Sequence, residues 1–444
     1  MIRIANGQGF WGDWLEAPVR LVEDGPLDYL VLDYLAEITM SIVQKQKERD
    51  PAQGYASDFP VLIERIGATI KDRNVKVIAN AGGVNPVACA REVRRLAPHL
   101  KVAIVHGDDV FPHLDQFLSA GHAMTNMDTG EPLSTIRSRI LSANAYIGAF
   151  PLAAALATGA DIVIAGRCTD TALALAPMIH HFGWKEHDWD LLAAGTIAGH
   201  IIECGAQATG GNCQIDWESI PDMANVGYPI VEAEPDGSFT VTKHAGSGGR
   251  VNTSVVKEQL LYELGDPRNY ITPDCVADFT TIQLAGAGPD RVRVSGIRGR
   301  ARTPFLKLSI SYAYGWKSIG TLVYSSPDAR AKAQAADRIV RQRLYQLGLH
   351  FEEIHTEFLG VNACHGPAAL PQLHAPEVQL RIGVRGQDRK AVDRFTRELI
   401  PLVLNGPPTA TGFGDGRPPV REVVAYWPAL VPRELISTRV EVVE

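Results

Sequence analysis

The stretch DIVIAGRCTD, residues 161–170, decides the fold. A charge-free run of β-branched residues ends at a glycine, and a helix-like segment begins close to Thr169. This order is typical of a parallel βαβ unit. Similar apolar runs occur upstream as IRIA (2–5), YLVL (29–32), VKVIA (75–79) and VAIV (102–105). The first 200 residues are therefore predicted to form an α/β domain with a doubly wound, mostly parallel sheet.

After about residue 200 the pattern changes to β-rich segments separated by turns, for example at 237–243, 290–295 and 306–312. Two long helix-like segments, 328–347 and 388–404, follow strand-like stretches. The length of 444 residues exceeds the size at which one core usually stops growing. We expect an α/β domain with an acidic crevice at 1–200 and an α+β domain with Gly-rich loops at 201–444.

Composition indicates a folded, cytoplasmic protein. The 43 Lys+Arg and 50 Asp+Glu residues give a net charge of −7 without a basic block, which argues against nucleic acid as a partner. Six cysteines form no C-x-x-C pair, as expected in a reducing compartment. The first residues enter a strand at once, so no secretion signal is expected. Polar residues interrupt the uncharged run 140–160, which is predicted to be a buried helix, not a membrane span.

The ends of the predicted strands carry the candidate site. In an open parallel sheet the loops at the carboxyl ends of strands meet in one crevice. Glycines there let the backbone approach a ligand, and carboxylates that converge must share a cation or a proton. The predicted binding residues are Gly7, Gly9, Asn80, Gly82, Gly83 and Gly166, and carboxylates follow the strands at Asp13, Asp33, Glu37, Asp108, Asp109 and Asp170.

These carboxylates predict either general acid–base catalysis or Mg²⁺ binding. We expect Asp108 or Asp109 to be the base, with Asp109 and Asp170 as Mg²⁺ ligands. Arg167 is predicted to clamp a substrate carboxylate, because its planar guanidinium binds in a bidentate way. The alternatives are that the aspartates cap the following helices and that Arg167 forms an ion pair with Asp170.

Two Gly-rich segments lie in the second half. In KHAGSGGR, residues 243–250, the amides of Gly246, Ser247, Gly248 and Gly249 could form an anion nest. The segment lacks the spacing of nucleotide-binding loops. It also resembles a loosened nucleophile elbow around Ser247, which makes a serine hydrolase an alternative, and a plain strand-to-helix connection is a third.

The other segment, ECGAQATGGNC at 203–213, is predicted to line a pocket, with Glu203 as a catalytic carboxylate. Gly210, Gly211 and Asn212 are its predicted binding residues. Cys204 is interpreted as an inert small residue.

Several motifs together resemble the acyclic terpene utilization AtuA family over nearly the whole chain. They are IANGQGFWGD (4–13), HGDD (106–109), GRCTD (166–170), the 203–212 segment, VVKEQLLYELGDP (255–267) and YITPD (270–274). The resemblance implies acyl-CoA or carboxylate catabolism, because members accompany acyl-CoA carboxylases and enoyl-CoA hydratases. Longer members carry a further ferredoxin-like domain, which corresponds to nothing after residue 444 and implies a separate small partner.

The expected function is that of a catabolic enzyme acting on a branched or hydroxylated carboxylate, as an acyl-CoA thioester, by hydration, dehydration or hydrolysis. A non-catalytic subunit in a complex with the small ferredoxin-like partner is the competing hypothesis, and both allow a homo- or hetero-oligomer.

Overall fold

The computed structural model describes residues 1–370, 375–412 and 416–443 and shows a mixed α/β protein with several sheets. The strands are β1 (Ile2–Gln8), β2 (Tyr29–Leu32), β3 (Lys76–Ala79), β4 (Val102–His106), β5 (Ile140–Ala145), β6 (Ile162–Ala165), β7 (Ile230–Ala233), β8 (Phe239–Thr242), β9 (Tyr270–Ile271), β10 (Val276–Asp278), β11 (Gln283–Gly286), β12 (Val292–Ser295), β13 (Arg298–Arg300), β14 (Phe305–Ser325), β15 (Glu353–Leu359), β16 (Glu377–Gly386), β17 (Arg421–Pro432) and β18 (Arg439–Val443). The α-helices are α1 (Glu16–Asp24), α2 (Glu37–Arg49), α3 (Asp58–Asp72), α4 (Pro86–Leu96), α5 (Leu114–Ser119), α6 (Ala149–Ala157), α7 (Ala172–Phe182), α8 (Trp189–Ile202), α9 (Thr253–Leu261), α10 (Ala329–Gln346), α11 (Arg389–Phe395) and α12 (Leu402–Asn405).

The main sheet has a parallel centre. Its ten strands follow the order β11-β12-β8-β7-β1-β2-β3-β6-β4-β18. Five adjacent strands at its centre are mutually parallel: β1, β2, β3, β6 and β4. Val163 of β6 lies opposite Ile78 of β3 and Ala103 of β4. The outer strands β7 and β18 add antiparallel to β1 and β4. These five parallel strands are the five that the apolar runs predict.

Both faces of this sheet are buried, which explains why its parallel strands are almost entirely apolar. Ile78 and Val163 pack with residues of α6, α7 and α8. Their neighbours Val77 and Ile164 point the other way and pack with residues of α1, α2, α3 and α4. The loops that leave the carboxyl ends of these strands are therefore held between two helical layers.

The chain divides into two compact units, 1–311 with 426–444 and 312–425. This division differs from the predicted boundary near residue 200, because β7, β8, β12 and β11 continue the main sheet. The second unit has the element order β14, α10, β15, β16, α11, α12, β17 and the sheet order β15-β16-β14-β17; with α11 and α12 together in the place of the second helix, this is the ferredoxin-like arrangement. Val340, Leu380 and Phe395 lie in its core.

Two predicted helices are wrong in detail. The uncharged run 140–160 is strand β5 followed by helix α6 and is not one helix; between them Ile147 forms an isolated bridge to Cys168. The predicted helix 388–404 is interrupted between α11 and α12, and Pro401 is the N-cap of α12. Among the described residues, none of the helices is both long and apolar enough to cross a bilayer.

Candidate active site

Two adjoining cavities in the first unit contain the candidate site. The first, here the acidic cavity, has a volume of about 480 Å³. The second, the apolar cavity, has a volume of about 450 Å³ and is lined by aliphatic and aromatic side chains such as Ile271, Phe305 and Leu306. The two share four lining carboxylates, Glu37, Asp170, Glu203 and Glu263. Asp33 after β2 and Asp170 after β6 place the site at the carboxyl ends of the parallel strands.

Asp33 and Asp170 form a carboxyl pair. The two carboxyl groups interact electrostatically, and neighbouring negative charges favour a state in which one of them keeps a proton. Asp33 is buried and accepts from Asn80 Nδ2 at 2.6 Å and from the amide of Leu35 at 3.1 Å. Burial, and after it the charge of Asp170, raise the pKa of Asp33 well above its ordinary value. The pair therefore keeps a proton to a higher pH than an isolated aspartate does.

Asn80, a predicted binding residue, orients this pair. Its Oδ1 accepts from the amide of Tyr34 at 2.7 Å while its Nδ2 donates to Asp33. The side chain is fully buried at the end of β3. It positions the Asp33 carboxyl and lines neither cavity wall directly.

Arg167 is enclosed by protein groups. Its Nη1 lies 3.1 Å from Asp170 Oδ1 and also donates to the carbonyl of Leu35, and its Nη2 lies 3.9 Å from Glu37. The guanidinium stacks 4.3 Å above the ring of Tyr146. Only 1% of the side chain is exposed. The structure thus directs Arg167 to the site's own carboxylates, in agreement with the ion-pair alternative.

Glu203 and His200 form a second acid–base pair at the end of α8. His200 Nδ1 lies 3.1 Å from Glu203 Oε1, and the Tyr270 hydroxyl lies 3.5 Å from the same nitrogen. Burial raises the pKa of Glu203 to about 7, against the opposing effect of His200. Burial also disfavours charged His200, but the hydrogen bond and charge of Glu203 outweigh it and raise the pKa of His200. Glu203 Oε2 has no hydrogen-bond partner among the described residues.

Asp108 and Asp109 lie outside both cavities. Asp108 is buried and accepts from the amide of Arg167 at 2.8 Å and from Asn144 Nδ2 at 2.9 Å. Asp109 is exposed and accepts from the amide of Phe111 at 3.0 Å, which closes an Asx turn ahead of the short helical turn 111–113. In the described part of the chain, no three His, Cys, Asp or Glu side chains form a group that could hold a metal.

The predicted glycines have different surroundings. Gly9, Gly211 and Asn212 line the acidic cavity. A Cβ on Gly9 would lie 3.1 Å from the backbone of Cys204, so glycine is needed for this close approach. The others pack closely against neighbouring groups or have a positive φ: Gly7 against Pro18, Gly82 against the Ala165 carbonyl, Gly166 against the Asp108 carboxyl, and Gly83 and Gly210 with positive φ.

The loop 245–249 lies at a third cavity. Gly246 and Ser247 line it together with Trp14 and Arg20, while Gly248 and Gly249 are buried. Ser247 Oγ donates to the carbonyl of His244 at 2.7 Å. The hydroxyl proton is thus directed at the backbone and not at a catalytic base.

Sequence reasoning missed His200, Tyr146, Tyr270 and Lys307. His200 stands three residues before Glu203 on a helix, and that i, i+3 spacing could have indicated the pair. Tyr270 begins the motif YITPD, but nothing marked its hydroxyl as part of the site. Lys307 carries no local signal, because only the pairing of β5 with β14 brings it near Tyr146, whose amide donates to the Lys307 carbonyl at 2.9 Å.

The fold and the site define an α/β protein with a buried acid–base cavity at the carboxyl ends of a parallel sheet. The family model for acyclic terpene utilisation family protein AtuA matches residues 2–442, and the chain belongs to that family. The comparisons with curated proteins and with solved structures gave no match.

Proposed function

We propose that the protein serves acyclic terpene utilisation as an enzyme that hydrates or dehydrates a branched acid or its acyl-CoA thioester. One observation carries this proposal. The Glu203 carboxyl has a pKa near 7 and an oxygen without a hydrogen-bond partner among the described residues. It lines the same cavity as Asp33 and Asp170, where burial and neighbouring charge favour a retained proton. A base and an acid that are both active near neutral pH are what such a reaction requires.

In the dehydration direction, the Glu203 carboxylate removes a proton from the carbon next to the carbonyl. The hydroxyl group on the following carbon leaves with the proton kept by the Asp33 and Asp170 pair, so a double bond forms and water is released. Arg167 offsets the negative charge left on the pair. Hydration reverses each transfer, with Glu203 returning its proton to carbon.

The apolar cavity supports a branched hydrocarbon substrate. Met127, Ile271, Phe305 and Leu430 all line it, and between 44% and 61% of each residue is exposed. Large apolar side chains grouped in this way around one concavity are typical of a ligand-binding surface. A substrate chain lying there would reach the four carboxylates that the two cavities share.

The competing functions have less support. The Ser247 hydroxyl donates to the backbone, which leaves a serine hydrolase without a base for its nucleophile. A purely organising subunit has no need of paired acids in a cavity. A small ferredoxin-like partner is compatible with the enzyme and stays part of the proposal.

The test is the substitution Glu203→Gln, which keeps the shape of the side chain and removes the base. We expect conversion of a branched 3-hydroxyacyl-CoA to its 2-enoyl product, followed by the absorbance of the conjugated thioester, to fall by about 10² to 10⁴. Glu218→Gln makes the same change on an exposed residue and should leave the rate unchanged.

The pH profile gives a second readout. In the dehydration direction kcat/KM should rise as pH passes about 7 and Glu203 ionises, then fall as the carboxyl pair loses its proton. Asp33→Asn should lower the rate and alter the alkaline limb. A folded Glu203→Gln protein with the parent's activity and profile would refute the proposal.

A further inference from the structure

We infer that Lys307 binds a carboxylate group of the ligand at the inner wall of the apolar cavity, beside the rings of Tyr146 and Tyr426. The inference deepens the proposed function, on which it rests for the location of the substrate. It assigns to Lys307 the anchoring role that the sequence pattern assigned to Arg167.

The position of Lys307 carries the argument. Its Nζ lies 5.1 Å from the centre of the Tyr146 ring and 5.6 Å from that of Tyr426, and the residue lines the apolar cavity. The side chain is half-buried. Among the described residues it forms no ion pair with a carboxylate, so its charge is balanced only by the two aromatic faces and by more distant groups.

Arg167 is a second cation in the same site, but protein groups already bind it. It stacks on the same Tyr146 ring, but Asp170 and Glu37 share its positive charge and the carbonyl of Leu35 takes a further hydrogen. With 1% of its side chain exposed, it cannot turn to an incoming ligand without breaking these contacts. Lys307 can donate to a ligand without losing a protein partner.

The surrounding charges favour a carboxylate over a phosphate. Glu37, Asp170, Glu203 and Glu263 line the same cavity, so a doubly charged group would meet more repulsion than a singly charged one. The apolar side chains of Phe305 and Leu306 line the same cavity, and a less polar surrounding strengthens a charge-assisted hydrogen bond.

The experiment measures binding by calorimetry with three probes of one carbon skeleton: 3-methylbutanoate, 3-methylbutanamide and 3-methylbutyl phosphate. We expect Lys307→Met to weaken binding of the acid by about tenfold or more and to leave the amide unchanged. Lys307→Arg should retain most of the affinity for the acid. Lys307→Gln provides a second neutral variant if the methionine protein does not fold.

Three results would overturn the inference: no binding of the acid to the parent protein, equal losses for acid and amide, or tighter binding of the phosphate than of the acid. The test of Lys307 can fail or succeed independently of the proposed reaction. Glu203→Gln keeps Lys307 and removes a nearby negative charge, so it should bind the acid at least as tightly as the parent whether or not it turns substrate over; binding thus tests Lys307 and turnover tests Glu203.

Discussion

Asp108 stands in a motif that predicts a catalytic carboxylate, but in the structure its carboxyl accepts hydrogen bonds from Arg167 and Asn144. Burial raises its pKa to about 7, against hydrogen bonds from Arg167 and Asn144. In the unfolded chain its pKa would be near 3.8. The folded state therefore holds a proton that the unfolded state releases, and the stability contributed by this proton is lost as pH rises from about 4 to about 7.

Asp108→Asn should remove this dependence, because an amide cannot ionise and its oxygen can still accept from the Arg167 amide. Relative to the parent, the variant should gain up to about 4 kcal/mol between about pH 4 and about pH 8. Urea denaturation of both proteins at the two pH values measures this difference. The same gap between the proteins at both values would show that Asp108 does not titrate in this range.

At this scale the sequence indicated the sheet edge at which the two cavities lie better than it indicated which side chains line them. The rule that loops meet at the carboxyl ends of strands led to Asp33 and Asp170 as well as to Asp108 and Asp109. Whether a carboxyl faces a cavity or a backbone amide depends on side-chain direction, which the motif HGDD does not encode. Glu203 was predicted from its neighbouring glycines, but its partner His200 became visible only in the structure.

Packing between helices α7 and α8 gives a test at the level of elements. A Cβ added to Gly199 of α8 would lie 2.7 Å from both the Cα and the carbonyl oxygen of Thr171, which immediately precedes α7. These are backbone atoms of the segment that follows Asp170, and they cannot move without displacing the site. The contact explains a glycine in the interior of a helix, where alanine would ordinarily be preferred by about 1 kcal/mol.

Gly199→Ala should therefore destabilise the protein by about 1 to 3 kcal/mol, despite the gain in helix propensity. The free energy of unfolding from denaturant titration is the measurement. Gly265→Ala is the matched control, since a Cβ there meets nothing within 4 Å. A stabilised Gly199→Ala protein would mean that α8 has room to move away from Thr171.

Helices and strands with a clear period of apolar residues were predicted well. The five parallel strands and helices α7 and α10 lie close to their predicted positions, because the spacing of apolar residues reports local burial. The run 140–160 was misjudged because an uncharged sequence is compatible with either a buried strand or a buried helix. Pairing with β14, a long-range contact, selects a strand for its first half.

For the whole molecule, the sequence predicted the α/β class and two compact parts, and the doubly wound arrangement stays a prediction. The spacing of apolar and turn residues could not locate the boundary between the two units. The strands after residue 200 have the sequence pattern of a new domain, but they add to the sheet of the first unit. The second unit is inserted into the chain of the first, and insertion leaves no compositional mark at residues 311 and 426.

Each unit has its own hydrophobic core, so damage to one core should remain local. Phe395 is fully buried in the second unit, and Phe395→Ala should cost about 3 to 5 kcal/mol there. Hydrogen exchange read by mass spectrometry should show faster exchange in α10, β15 and β16 and unchanged exchange in β2, β3 and β6. Leu404→Ala is the control in the same unit, because Leu404 is 94% exposed. Equal loss of protection in β3 would mean that the units unfold as one cooperative body, and the acid–base cavity would then depend on the second core as well.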